Sequence, residues 1–106
     1  MAQFDVHRNT GRHHLAIPYV VIVQSSFYER TKRRVVVPLV CRTTLNDLPA
    51  TAINPVFTIE AREVILNPLE ILSVPLDVLG EKVTSLLDES DAIIAALDEL
   101  LARAGH

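Results

Sequence analysis

The chain has 106 residues, 49% of them apolar, with one cysteine, no tryptophan and a net charge of −3. That length predicts one compact domain spanning residues 1–106, small enough that pairing with a second copy would help complete its core. The acidic balance, with a pI near 5.7, argues against a dedicated nucleic-acid binder.

No apolar run reaches the ~18 residues of a transmembrane helix. The first residues, "MAQFDVHRNTGRHH", lack the apolar stretch of a secretory signal. Together with the lone Cys41 they predict a reducing, cytoplasmic setting without membrane attachment. In chain order, "QFDV" reads as a short strand with Phe4 and Val6 on one face, because strand side chains alternate. "NTGRHH" is a turn around Gly11. "LAIPYVVIVQ" is a β-branched strand with Pro18 at an edge or at its start, since proline donates nothing to a ladder. "SSFYERTKRR" is a polar connection, and "RVVVPLV" is a second long strand with Pro38 as an edge or bulge signal. Cys41 follows that run and is expected to be a buried structural thiol. "CRTTLNDLPATAINP" is irregular. "VFTIEAREVILNP" predicts a hairpin, with strands over 56–59 and 64–66 and a tight turn over 60–62, and "LEILSVP" is a further short strand.

After Gly80 the period changes. In "DESDAIIAALDELLARA" the apolar residues Ile93, Ile94, Leu97, Leu100, Leu101 and Ala104 fall on one helical stripe. Asp88, Glu89 and Asp91 at its start, Arg103 and His106 at its end and Gly105 as a stop all suit a helix. The fold class is α+β: a strongly bent sheet or small barrel closed by one C-terminal helix.

Few constellations suggest chemistry. There is no phosphate loop, zinc-spaced cysteine pair or nucleophile elbow. His7, His13, His14 and His106 are expected to be exposed loop histidines; adjacent His13 and His14 would diverge in a strand. No acid/base pair is legible, so no catalytic residue, metal or cofactor is expected. Arg30, Lys32, Arg33 and Arg34 form a basic cluster, read as a solvated turn guarding a sticky strand, with a contact for nucleic acid or an acidic partner as the alternative.

The order of segments resembles a known family. "MAQFDVHRNTG", "YVVIVQSS", "TKRRVVVPL", "LNPLEILSVPLDVLGEKVTSL" and "IIAALDEL" resemble, in that order and over nearly the whole chain, the CcdB-type toxins of plasmid and chromosomal toxin–antitoxin modules. The most specific pieces are Arg34-Val35-Val36-Val37-Pro38-Leu39 and the pair Ser73-Val74-Pro75 and Leu79-Gly80. The resemblance implies a small SH3-like β-barrel with a side hairpin and one C-terminal helix, paired into a homodimer partly through those helices. It implies a toxin that is not an enzyme: it binds the A subunit of DNA gyrase and traps the cleaved gyrase–DNA complex. A cognate CcdA-type antitoxin wraps and releases it, and the pair represses its own operon, so that the toxin reaches DNA only through the antitoxin.

The best-studied toxins of the family end in Trp-Gly-Ile, and that end touches gyrase. Counted without gaps, those positions are Ala102, Arg103 and Ala104; counted from the chain end, only Gly105 matches. The resemblance thus places the gyrase contact on Ala102, Arg103, Ala104, Gly105 and His106, without an aromatic anchor and with Arg103 or His106 as polar substitutes. Two alternatives follow: a degenerate toxin that only binds antitoxin and tunes repression, or an mRNA-cleaving toxin on a related barrel.

Overall fold

Three apolar runs build the middle of the molecule. The computed structural model describes residues 1–43, 51 and 53–101. Strands β1 (Asp5–Asn9), β2 (Tyr19–Ile22) and β3 (Arg33–Cys41) form an antiparallel meander in which Val6 lies opposite Val21 and Val21 opposite Val37. Alternation gives the sheet two faces, and both are covered. Val6, Val21, Val37 and Leu39 enter the main core, while Val20, Ile22 and Val36 form a second cluster. A strand covered on both faces loses its polar alternation, which is why "YVVI" reads as one apolar block.

The expected hairpin is present as β4 (Val56–Ile59) and β5 (Arg62–Leu66). It is followed by β6 (Leu72–Pro75), β7 (Leu79–Ser85) and helix α1 (Ser90–Leu101). The strand order is β4-β5-β3-β2-β1-β7, with β6 also paired to β3. This curled, antiparallel half-barrel with one C-terminal helix is the α+β class expected. Residues 44–50 and 52, within the irregular stretch, lie outside the described residues.

Pro38 departs from expectation: it lies in a central strand, not at an edge. On one side β3 pairs with β6 through residues 33–36 and with β5 through residues 39–41, so Pro38 falls at the junction. Its carbonyl accepts the Asn67 N–H there, at 3.0 Å. The nitrogen and carbonyl of one strand residue point the same way, so the missing donor faces a gap that needs none. Pro18 behaves as expected, immediately before β2.

β7 was not legible. It pairs with β1 through an irregular register, in which His7 faces Lys82 and Asn9 faces Leu79. Gly80 sits at this close approach: a Cβ there would lie 2.8 Å from the Arg8 carbonyl. The bared carbonyl of Gly80 accepts the Nδ1–H of His7 at 2.8 Å. His7 is therefore a buried strand histidine, contrary to the expected exposed one, and its Nε2 has no partner among the described residues. Cys41 is likewise half-buried rather than buried, its thiol directed at the Leu15 carbonyl.

The helix stripe divides in two. Ile93 and Ala96 are buried in the main core, with Leu97 against it, but Ile94 and Leu101 are 45% and 68% exposed. Leu87, in the turn before the helix, is 62% exposed. Leu87, Ile94 and Leu101 recur every seven residues, the spacing of a helical seam.

Candidate functional site

The connection between β2 and β3 shows how one buried arginine can organise a loop. Ser25 caps a short 3-10 turn, Ser26–Tyr28, by accepting the Phe27 N–H on its hydroxyl. Arg34 is only 5% exposed. Its guanidinium donates to the carbonyls of Glu29 at 2.7 Å, Thr31 at 2.8 Å and Met1 at 3.4 Å. A buried cation is costly unless hydrogen-bonded, and here carbonyl dipoles rather than a carboxylate receive it. The loop is thus drawn in around Arg34.

Its apex points outward. Phe27 is 86% exposed and Tyr28 58%, with ring centroids 5.1 Å apart and nearly perpendicular. Full burial of such a ring would stabilise by about 1.5–3 kcal/mol, and this fold forgoes it twice in adjacent positions. Arg30 and Lys32 beside them are exposed and have no partner among the described residues. Arg33 is held instead by Ser73, through its hydroxyl at 2.9 Å and its carbonyl at 2.8 Å. The basic cluster of the sequence therefore separates: Arg33 and Arg34 hold the loop, and Arg30 and Lys32 flank an exposed aromatic pair. Aromatic and arginine side chains together have the composition of a binding hot spot.

A second cluster joins residues far apart in the chain. Arg8 forms a two-pronged pair with Glu60, at 3.0 and 2.8 Å, and reaches Glu81 at 2.6 Å. The Tyr19 hydroxyl also donates to Glu60. Arg8, followed by Tyr19, holds the Glu60 carboxyl down to about 2, well below the ordinary value. Burial, and then the Glu60 carboxylate, push the Tyr19 phenol up; Glu60, then Glu81, raise Arg8. Glu60 is a fixed anion at neutral pH and Arg8 is saturated. This suits an ion-pair staple better than proton transfer, which needs a group poised near the working pH.

The gyrase-contact residues expected from the sequence, Ala102, Arg103, Ala104, Gly105 and His106, lie outside the described residues; α1 is described to Leu101, which is exposed. What the sequence reading missed is Phe27 and Tyr28. The signal was there: two of the chain's five aromatics stand side by side in an otherwise polar connection. Among the described residues no group of His, Cys, Asp and Glu could hold a metal ion, and no helix is long and apolar enough to cross a membrane.

The family model described as CcdB protein matches residues 3–102. The chain belongs to the CcdB family. It is a CcdB-type toxin of toxin–antitoxin modules, as the order of its segments led one to expect. A search of the curated proteins gives no match. Among solved structures, one from a mycobacterial species, described as an endoribonuclease in complex with its cognate antitoxin, is similar with a TM-score of 0.77. It is 17% identical over 100% of this chain and 99% of that one. At that identity the likeness carries the CcdB-like fold and nothing of the chemistry.

Proposed function

We propose that the whole chain, residues 1–106, is one toxin domain that acts as a homodimer in the cytoplasm, binds the A subunit of DNA gyrase and traps the cleaved DNA complex. It does so by binding alone, without a catalytic residue or cofactor of its own. A CcdA-type antitoxin neutralises it, and toxin and antitoxin together repress their operon, with the DNA contacts on the antitoxin. The observation that carries the gyrase contact is the exposed pair Phe27 and Tyr28 beside Arg30 and Lys32, which are unpaired among the described residues. This supplies an aromatic anchor that the chain end lacks. The contact then comprises that loop and the terminal residues Ala102, Arg103, Ala104, Gly105 and His106. The homodimer rests on the exposed series Leu87, Ile94 and Leu101, apolar surface that a second copy would cover.

The test is gyrase-mediated DNA cleavage at equal folded concentration. Phe27→Ala with Tyr28→Ala should cost at least ~2 kcal/mol of binding, more than tenfold in affinity. Truncation after Leu101 should also weaken trapping while leaving the melting temperature nearly unchanged. Parental trapping by the aromatic double variant would remove the loop from the contact. Absence of trapping by the parent, with antitoxin binding intact, would favour the degenerate toxin.

A second reading, messenger-RNA cleavage, the activity named for the structure of similar fold, has as its observation in this chain the grouping of Arg8, Glu60 and Glu81. The saturation of Arg8 weighs against it, because a phosphate would have to displace two carboxylates. Cleavage of a labelled RNA by the parent, lost in Arg8→Ala, would decide for it.

A further inference from the structure

The face of the sheet turned away from the main core contains a concavity of about 230 Å³. Val20, Val36 and Pro38 form its floor, and Leu72, Val74 and Val78 its wall on the β6 side. The connection between β1 and β2 borders it with Gly11, Arg12 and Ile17. Leu72 and Val78 are each 44% exposed, so apolar surface continues from the floor to the rim. Polar groups at the lining are few and differ by element. The β1–β2 connection contributes Arg12, an exposed cation without a partner among the described residues, and His13. The turn before β6 contributes the carboxylate of Glu70. Arg8 also lines the site, but Glu60 and Glu81 already occupy its guanidinium.

These features narrow the occupant. Small-molecule sites run from about 300 to 1,000 Å³, so this space suits one large side chain better than a free metabolite. The lining holds no phenylalanine, tyrosine or tryptophan for a nucleobase to stack on, His13 being its one aromatic ring, and Glu70 repels a phosphate. The neighbouring edge of β6 is poorly disposed to take an added strand: Arg33 occupies the Ser73 carbonyl and Pro75 has no N–H to give. Recognition therefore runs through a side chain, not a backbone ladder. The unpaired Arg12 calls for a carboxylate next to that side chain, and Glu70 for a donor.

We propose that this concavity is a docking site for a segment of the antitoxin, one that presents a large apolar side chain flanked by a carboxylate. The proposal rests on the toxin–antitoxin reading and assigns a place on the toxin for its neutralising partner. That place is built by different residues from the aromatic loop, so gyrase and antitoxin contacts are separable by mutation.

The probe is the cognate full-length antitoxin, labelled and titrated with parent toxin, Leu72→Asp, Arg12→Glu and the control Leu15→Asp, which alters a leucine 82% exposed and outside the concavity. Leu72→Asp and Arg12→Glu should each weaken binding by about tenfold or more, and Leu15→Asp should leave it unchanged. Added salt should weaken the parent more steeply than Arg12→Glu. Gyrase trapping should stay parental in all three. If Leu72→Asp fails to fold, Val78→Asp takes its place. Binding by Leu72→Asp and Arg12→Glu within about twofold of the parent overturns the docking site and leaves the toxin reading intact. A parent that binds no antitoxin but folds overturns both. Displacement of the antitoxin by an eight-nucleotide oligouridylate, sensitive to the same two substitutions, overturns the peptide in favour of nucleic acid.

Discussion

Two turns on this molecule are each organised by an arginine, and they differ in what remains exposed. At the β4–β5 hairpin, Arg8 is met by two carboxylates, and a tyrosine hydroxyl completes the set around Glu60. At the β2–β3 loop, Arg34 is buried among carbonyls, while two aromatic rings, in contact only with each other, and two cations without a partner among the described residues project outward. The first turn has satisfied its own groups and has little left to offer a partner. The second is equally well anchored, yet keeps unsatisfied surface at its apex. The difference teaches that order and function separate at the level of single side chains: a rigid loop that leaves rings and charges unused is a better candidate for binding than a saturated cluster of titratable groups.

The largest expected effect removes the platform beneath both turns. Val36 is fully buried in β3, and Val36→Asp should cost several kcal/mol, roughly 3–5, by burying an unpaired charge. Thermal melting should show loss of the fold, and both turns should fail together. Next comes Arg34→Ala, which leaves the carbonyls of Glu29 and Thr31 without their buried donor. A loss of about 2–3 kcal/mol in denaturant unfolding is expected, with gyrase binding weakened as the loop loses its anchor. A parental stability would mean that Arg34 does not organise that loop.

The hairpin should answer more weakly, and in the opposite sense for one substitution. Glu60 and Ala61 have φ of 53° and 62°, the left-handed region that a two-residue hairpin turn demands and that side chains resist. Ala61→Gly relieves that resistance and should raise stability by about 1 kcal/mol, read as a small rise in melting temperature. The smallest effect is in acid. The folded-state value of Glu60, about 2, lies below the ordinary carboxylate value of ~4.3. Its contribution is therefore fully present above that ordinary value and is lost as pH falls toward and through 2. A pH series of melting temperatures should fall less steeply over this interval in Glu60→Gln than in the parent. Because the pair is largely exposed, the difference should shrink in high salt.

The parts of the fold that could be read in the sequence are those with a local cause. The β-branched blocks behind β2 and β3 and the alternation of the hairpin need no distant partner to be recognised. β7 does: "LGEKVTS" has only Leu79 and Val83 as apolar side chains, and β1, its partner, lies at the other end of the chain. Gly80 reads as a break until the carbonyl of Arg8 is seen against it. The helix stripe was legible, but not its division, because which of Ile93 and Ile94 is covered depends on where the sheet lies. The candidate contact was legible in part. The basic cluster was visible as a cluster, whereas the inward turn of Arg34 and the outward turn of Phe27 and Tyr28 follow from the path of the loop.

The junction at Pro38 has a mechanical consequence. A strand flanked on one side by a single long partner opens as one unit, whereas β3 is flanked there by two short partners, and the bond at their junction, Asn67 N–H to the Pro38 carbonyl, extends only the β5 side. Separation of the β4–β5 hairpin need not be transmitted to β6, since the residue between them has no amide proton through which to couple the two ladders. The aromatic loop shares its anchor with the β6 half, through Arg33 and Ser73. Amide exchange should therefore divide this half-barrel into two zones with separate opening energies, so that the hairpin can breathe while the loop and β6 stay shut.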